Sequence, residues 1–288
     1  MALRHTLAGP ALAALRMLNA MVPGRRFRIL LVHDVPPALA GEFERFVAHV
    51  KETHGVLTPE QAAAWLDGRP TGETGRTPCL FTFDDGFASN FQVATGALAR
   101  HDVKAVFFVC PGLIDLTGAN RAAAIAANVL DGRVGAAGLP PGLDLMEWPE
   151  LAELTRLGHA IGAHGMTHRR LSLLDGEDLR REVTAAGDVL EDRLGRPVPW
   201  YAYSFGDIGS LSAAALKVIA GRYRFCRSGV RGANDAGTGA LALRADQVDP
   251  ATPFVYQKLI AEGGLAWRYA DARRRLDALA IDAAVPAK

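Results

Sequence analysis

The chain of 288 residues is poor in cysteine, nearly neutral overall and free of internal repeats. Its three cysteines, Cys79, Cys110 and Cys226, are odd in number and too scattered for a disulfide framework, and no two have CxxC spacing. Each lies in an apolar run, which reads as a buried thiol in a reducing compartment and leads us to expect a cytoplasmic protein. A formal net charge of +1 argues against a general nucleic-acid binder, which would carry a strongly basic face, so no nucleic-acid partner is expected. No low-complexity linker breaks the chain, and 49% hydrophobic residues suffice for a large core. The expected organisation is a basic, apolar arm over 1–27 followed by one domain over 28–288.

Acidic residues are missing from the first 33 positions, which hold Arg4, Arg16, Arg25, Arg26 and Arg28. That stretch carries +5 and leaves −4 for the rest of a +1 chain. Within it, "ALAALRMLNAMV" (Ala11–Val22) is apolar apart from Arg16 and Asn19. The run is too short and interrupted to span a membrane, and no clean cleavage site makes it a secretory signal. Two readings stay open: an interfacial helix giving peripheral contact at the anionic inner membrane face, or an Ala-rich helix packed on the domain.

What the chain does contain is alternation. Extended apolar runs occur near 28–35, 79–85, 104–110, 159–164, 200–205, 223–228 and 240–245, with helical periodicity between them. Thr58-Pro59-Glu60-Gln61 has the form of a capping box with proline at the first helical position. Strand–helix alternation predicts an α/β protein with a parallel sheet covered by helices, open or closed into a barrel, and catalytic groups at the carboxyl ends of the strands. The Gly-, Ala- and Pro-rich segment 111–147 is long for a connection and is expected to overhang the site.

"LFTFDDGFASN" (Leu80–Asn90) ends a buried strand with two carboxylates, Asp84 and Asp85. Strand neighbours point to opposite faces, so both enter one pocket only if the chain leaves the extended conformation, for which Gly86 supplies the freedom. A lone aspartate here would rather cap the following helix. "HGMTH" places His164 and His168 four apart, one face of a helical turn, where two imidazoles can grip one ion. With a carboxylate from another strand they form a two-histidine, one-carboxylate set, and a divalent cation there lets the second aspartate stay ionised.

His33, ending the first run in "LLVHDV", becomes a proton donor if its strand shares the sheet. Asp34 either fixes its tautomer or begins the turn into the prolines. In "WYAYSFGDIG", Tyr201, Tyr203 and Phe205 are core by default, with at least one able to wall a pocket. Asp207 is a turn former or a substrate contact.

"TFDDG" (Thr82–Gly86), "HGMTH" (His164–His168) and "YAYSFG" (Tyr201–Gly206), in this order, resemble the motifs of polysaccharide deacetylases of the NodB-homology type, carbohydrate esterase family 4. The resemblance implies a distorted (β/α) barrel of about seven parallel strands. It also implies removal of acetyl groups from N-acetylated sugars with a divalent metal, usually zinc. Asp84 then matches the general base, and Asp85, His164 and His168 the metal ligands. Phe205 matches the position whose backbone N–H faces the oxyanion, with Tyr203 and Asp207 as further substrate contacts. Leu-x-His, which carries the acid histidine in many members, is absent after Asp207. His33 instead resembles the acid of the poly-N-acetylglucosamine branch, where that histidine sits on the first strand.

Departures from the pattern define the alternatives. Ala202 stands where the family often has an arginine that orients the base, Ser204 where proline is usual, and Ala160 where glutamate is frequent. Arg169, Arg170 and Arg244 are the expected sources of the missing charge. The partner is expected to be an N-acetylated glycan. The alternatives are a lipid-linked or small N-acyl substrate, and a glycan-binding pseudoenzyme of the same fold.

Overall fold

A computed structural model describes residues 8–21, 26–69 and 77–284, in which eight strands form one curled sheet. The strands are β1 Arg26–Val32, β2 Cys79–Phe83, β3 Ala105–Val109, β4 Ala160–Ala163, β5 Trp200–Ala202, β6 Phe225–Arg227, β7 Asn234–Asp235 and β8 Asp246–Gln247. They run in the order β6-β5-β4-β3-β2-β1-β7, with β8 also on β1, and only the β1–β7 pair is antiparallel. This is the (β/α) barrel architecture, reached with a different last strand from the one expected. The apolar run 240–245 is not a strand of its own. Leu243 bridges to Arg227 on β6, and three residues later Asp246 pairs with Leu30 on β1. The segment thus crosses the gap between the two edges: Ser228 N–H donates to Leu243 O at 2.8 Å, and Val248 N–H donates to Leu31 O at 2.8 Å.

Strand alternation separates two cores. Phe27, Ile29, Leu31, Leu80, Val106, Phe108, Trp200, Ala202 and Phe225 pack together inside the barrel, closed at one end by Trp65. Leu30, Val32, Phe81, Phe83, Phe107 and Val109 face outward against helices such as Ala40–Thr53, whose Phe43, Phe46, Val47 and Val50 recur at helical spacing. Burying each such side chain contributes about 1.5–3 kcal/mol. By the same alternation His33 continues the inward series of Ile29 and Leu31, and Asp84 that of Leu80 and Thr82. The Thr58–Gln61 capping box forms as expected, with both reciprocal hydrogen bonds starting the helix Pro59–Leu66.

Segment 111–147 is folded rather than loose, although only part of it is regular. The helices Pro111–Ile114 and Gly118–Ala124 close around Arg121, which donates to Ile114 O at 2.7 Å and pairs with Asp144 at 3.0 Å. At the amino end the helix Ala8–Met21 packs on Phe254–Ala261: Leu12 is buried against Leu259, and Arg16 Nε donates to Glu262 at 2.8 Å. Among the described residues no helix is long and apolar enough to cross a membrane.

Candidate active site

The carboxyl ends of β1, β2, β4, β5 and β6 open into one cavity of about 880 Å³, lined among others by His33, Asp84, Asp85, His164, His168 and Phe205. Backbone geometry at the end of β2 explains how neighbouring aspartates share it. Asp85 itself takes φ +70° and Gly86 φ +74°, so the chain turns back immediately after Asp84. Neither aspartate caps the following helix, whose N-cap is Phe87 without a side-chain bond. Asp85, His168 (φ +64°) and Phe205 (φ +68°) are three of the five non-glycine residues with left-handed φ among the described residues. Each such residue stores about 1–3 kcal/mol, tolerated where the surroundings over-determine it.

The two histidines do not lie on a helical turn. They sit in an irregular loop after β4, with their ring centroids 5.0 Å apart. The loop is held by the buried Glu182 of the helix Gly176–Leu194. Its carboxylate accepts from Thr167 N–H (2.9 Å), Thr167 Oγ1 (2.9 Å) and Arg169 N–H (3.0 Å). Gly165, at φ +84°, leaves room for it, since a Cβ there would meet Glu182 Oε1 at 2.6 Å.

Each imidazole is oriented by a backbone carbonyl. His164 Nδ1 lies 2.7 Å from Ala202 O and His168 Nδ1 lies 2.9 Å from Asn128 O. Carbonyls only accept, so Nδ1 carries the hydrogen in both rings and the Nε2 lone pairs are left for the cavity. Both Nε2 atoms face Asp85 Oδ1, at 3.4 and 3.3 Å, and that buried oxygen has no hydrogen-bond donor. One ligand atom from each of the three buried side chains lies within 4.8 Å of the others. An orphaned carboxylate oxygen facing two imidazole lone pairs suits a divalent cation of borderline softness. Burial opposes ionisation of Asp85, but the two imidazoles outweigh it and hold its carboxyl well below the usual range. Burial likewise opposes a charge on His168, and Asp85 overrides it, raising the imidazole above its ordinary 6.5. A cation bound at this place would compete with protons.

Asp84 is held from a direction the motifs do not show. None of Arg169, Arg170 or Arg244 reaches it: Arg169 pairs with Asp178, Arg170 with Asp131 and Asp207, and Arg244 with Asp277. The charge comes from Arg227, almost wholly buried, whose Nη2 donates to both Asp84 oxygens at 2.5 and 2.6 Å. In the parallel β5–β6 pairing Arg227 is the direct neighbour of Ala202, so the guanidinium enters at the same height from the next strand over. The signal in the sequence is the second arginine of the run "YRFCRS", which shares the strand parity of Phe225.

Phe205 lines the cavity, its ring 4.7 Å from His168. Asp207 lines it too, while serving as N-cap of a short 3₁₀ turn by accepting from Gly209 N–H at 2.8 Å. Tyr203 does not wall the cavity. Its side chain is buried in the core and its hydroxyl donates to Gly206 O at 2.9 Å, shaping the turn that carries Phe205. Asp34 does not fix the His33 tautomer, because its carboxylate accepts from Ser89 Oγ at 2.6 Å. Segment 111–147 overhangs the site as expected, contributing Val129, Leu130, Asp131, Arg133 and Leu143 to the wall and Asn128 to His168.

A sequence-family model described as polysaccharide deacetylase matches residues 71–221, just over half of the chain. Among solved structures, the Streptococcus pyogenes deacetylase PplD in complex with acetate is 18% identical with TM-score 0.64, over 84% of this chain and 99% of that one. IcaB from Ammonifex degensii is 19% identical with TM-score 0.61, over 84% of this chain and 98% of that one. The BpsB deacetylase domain from Bordetella bronchiseptica is 17% identical with TM-score 0.61, over 78% and 97%. No curated protein sequence matches the chain.

Proposed function

The chain belongs to the polysaccharide deacetylase family, and from that premise we propose that it is a metal-dependent hydrolase removing N-acetyl groups from an amino-sugar-containing glycan. The observation that carries this reading is the convergence of Asp85, His164 and His168 on one point beside an Asp84 carboxylate pinned by Arg227.

In this proposal Asp85, His164 and His168 would hold a divalent cation, zinc by the chemistry of the set. When bound, the cation supplies Lewis acidity that polarises the acetyl carbonyl and makes water a better nucleophile at neutral pH. Asp84, oriented by Arg227, accepts the proton of the attacking water. The backbone N–H of Phe205, aimed by its left-handed φ, donates to the developing oxyanion, a contribution of about 3–4 kcal/mol. His33 at the end of β1 gives its proton to the departing amine, and cavity walls from segment 111–147 keep bulk water away.

Arg227 favours a turnover-competent enzyme over the glycan-binding pseudoenzyme, because Ala202 was the motive for the latter and the orienting charge is supplied by its strand neighbour. The test is amine release from N-acetylglucosamine oligomers by metal-loaded protein. Activity should vanish on chelation, return with zinc, and be lost in Asp84→Asn with metal content unchanged. Near-parental turnover by Asp84→Asn would remove the proposed base.

A further inference from the structure

Arg170 lies two positions beyond His168, and its guanidinium touches two other parts of the cavity rim, the loop after β5 and the overhanging segment. Nη1 pairs with Asp207 Oδ2 at 3.2 Å and also donates to Ser210 Oγ, both on the loop after β5. Nη2 lies 3.6 Å from Asp131 Oδ2, on the overhanging segment 111–147. Between them the guanidinium carbon sits 4.1 Å from the centroid of the Phe205 ring. A planar cation with its donors in a fixed fork suits this bridging, since it can stack on a ring and reach carboxylates at its edges.

Its contacts are unlike the other arginine pairs near the site. Arg169 meets Asp178 of the helix Gly176–Leu194 at the surface and joins no second part of the rim. Arg170 ties the imidazole loop, the Phe205 loop and the overhang together, at residues two of which hold strained backbone: Phe205 at φ +68° and Asp131 at φ +55°. Strained conformations persist only when neighbours hold them, and the Arg170 guanidinium, like the His168 ring, packs on Phe205. Residues 131–138, by contrast, are exposed throughout, so few apolar contacts keep this part of the overhang in place.

We propose that Arg170 is a positioning residue that latches the overhanging segment, through Asp131, onto the loop carrying Phe205 and so sets the closed shape of the cavity. The idea rests on the hydrolase reading above for its effect on turnover, but the latch itself is readable without any reaction. Arg170 acts through Phe205 and Asp131 and need not touch substrate. Losing it frees the Phe205 N–H to leave its orientation and lets segment 131–138 swing away, which lowers turnover and weakens substrate binding together.

Two variants, Arg170→Met and Asp131→Asn, test this against the parent on metal-loaded protein. Trypsin cleavage after Arg133, followed by mass spectrometry, reads the latch directly and should quicken in both variants. On N-acetylglucosamine oligomers Arg170→Met should lose about ten- to a hundredfold in kcat/KM, a lowered kcat being part of it. Asp131→Asn should act mainly on KM, Arg170→Lys should recover part of the loss, and the double variant should be no worse than Arg170→Met alone. Metal content should match the parent throughout. Unchanged cleavage after Arg133 in both variants, strictly additive kinetic effects, or loss of bound metal in Arg170→Met would each overturn the latch. A parent that releases no amine while both variants still quicken cleavage would sink the hydrolase reading and leave the latch standing.

Discussion

Arg227 and Asp84 are 143 positions apart and meet in a nearly dry part of the barrel, one guanidinium nitrogen donating to both carboxylate oxygens at 2.5 and 2.6 Å. A carboxyl group buried to this degree needs such a hydrogen-bonding partner, and the partner arrives from β6 beside Ala202.

Truncating Arg227 therefore leaves an unpaired buried carboxylate. Arg227→Ala is expected to lower stability by about 3–5 kcal/mol and turnover by at least about a hundredfold. Because Ala202 and Arg227 are neighbours in register on the same inward face, the exchange Ala202→Arg with Arg227→Ala should regain part of both losses. Denaturant midpoints and amine-release rates on the four proteins of the cycle check this; a double variant as poor as the single one would show that the guanidinium cannot be supplied from β5.

Glu182 holds the imidazole loop through three accepted hydrogen bonds, two of them from backbone N–H groups. Glu182→Gln turns part of that acceptor into a donor facing donors, so metal affinity should fall about ten- to a hundredfold, read by competition with a chelating dye. Affinity in the parent should also fall with acid, beginning somewhat above pH 6.5, because the His168 imidazole is raised by Asp85 and must be neutral to ligate. An affinity that stays flat down to pH 5 would contradict this proton competition.

His159 gives a pH effect on folding that is separate from the site. Its buried Nδ1 accepts from Ala105 N–H at 3.1 Å, and burial, aided by Lys104, lowers its pKa from 6.5 to about 4. An unfolded chain protonates this histidine near pH 6.5 while the folded one resists until about pH 4, so stability present above pH 6.5 is lost as pH falls through that window. The full effect is up to about 3 kcal/mol. His49, lowered to about 4 by burial and Arg16, works in the same direction. His159→Asn should flatten the fall of the melting temperature between pH 6.5 and 4; an unchanged slope would exclude His159 as its source.

The amino-terminal helix is proposed as a contact for an anionic membrane surface, on the strength of the absence of acidic residues from the first 33 positions, where Arg16 and Arg28 are already engaged by Glu262 and Asp246, and of Met17, 71% exposed on a helix whose Leu12 is buried. Full-length protein should float with anionic liposomes and a chain lacking residues 1–24 should not. The truncation should also lower the melting temperature by a few degrees, since it uncovers Leu259. Equal flotation of the two proteins would remove the membrane role and leave the helix a packing element.

What the sequence by itself determined was local. Apolar alternation located β1 to β6 to within a few residues, and the capping box located one helix start. The residue types Asp85, His164 and His168 announced a ligand set because few other arrangements justify such groups at buried strand ends. Tertiary structure decided everything that depends on register between distant strands. Arg227 reaches Asp84 only through the β5–β6 pairing, and 243–248 closes the barrel by serving two edges in turn. The histidine loop is non-helical because Glu182, from a helix further along the chain, takes the amides a helical turn would have used. Tyr203 and Phe205 share a strand parity but divide between core and cavity because a left-handed φ at Phe205 breaks the alternation. Side-chain spacing along one strand is a property of the chain; which strands stand side by side, and at what height, is set by packing of the whole barrel.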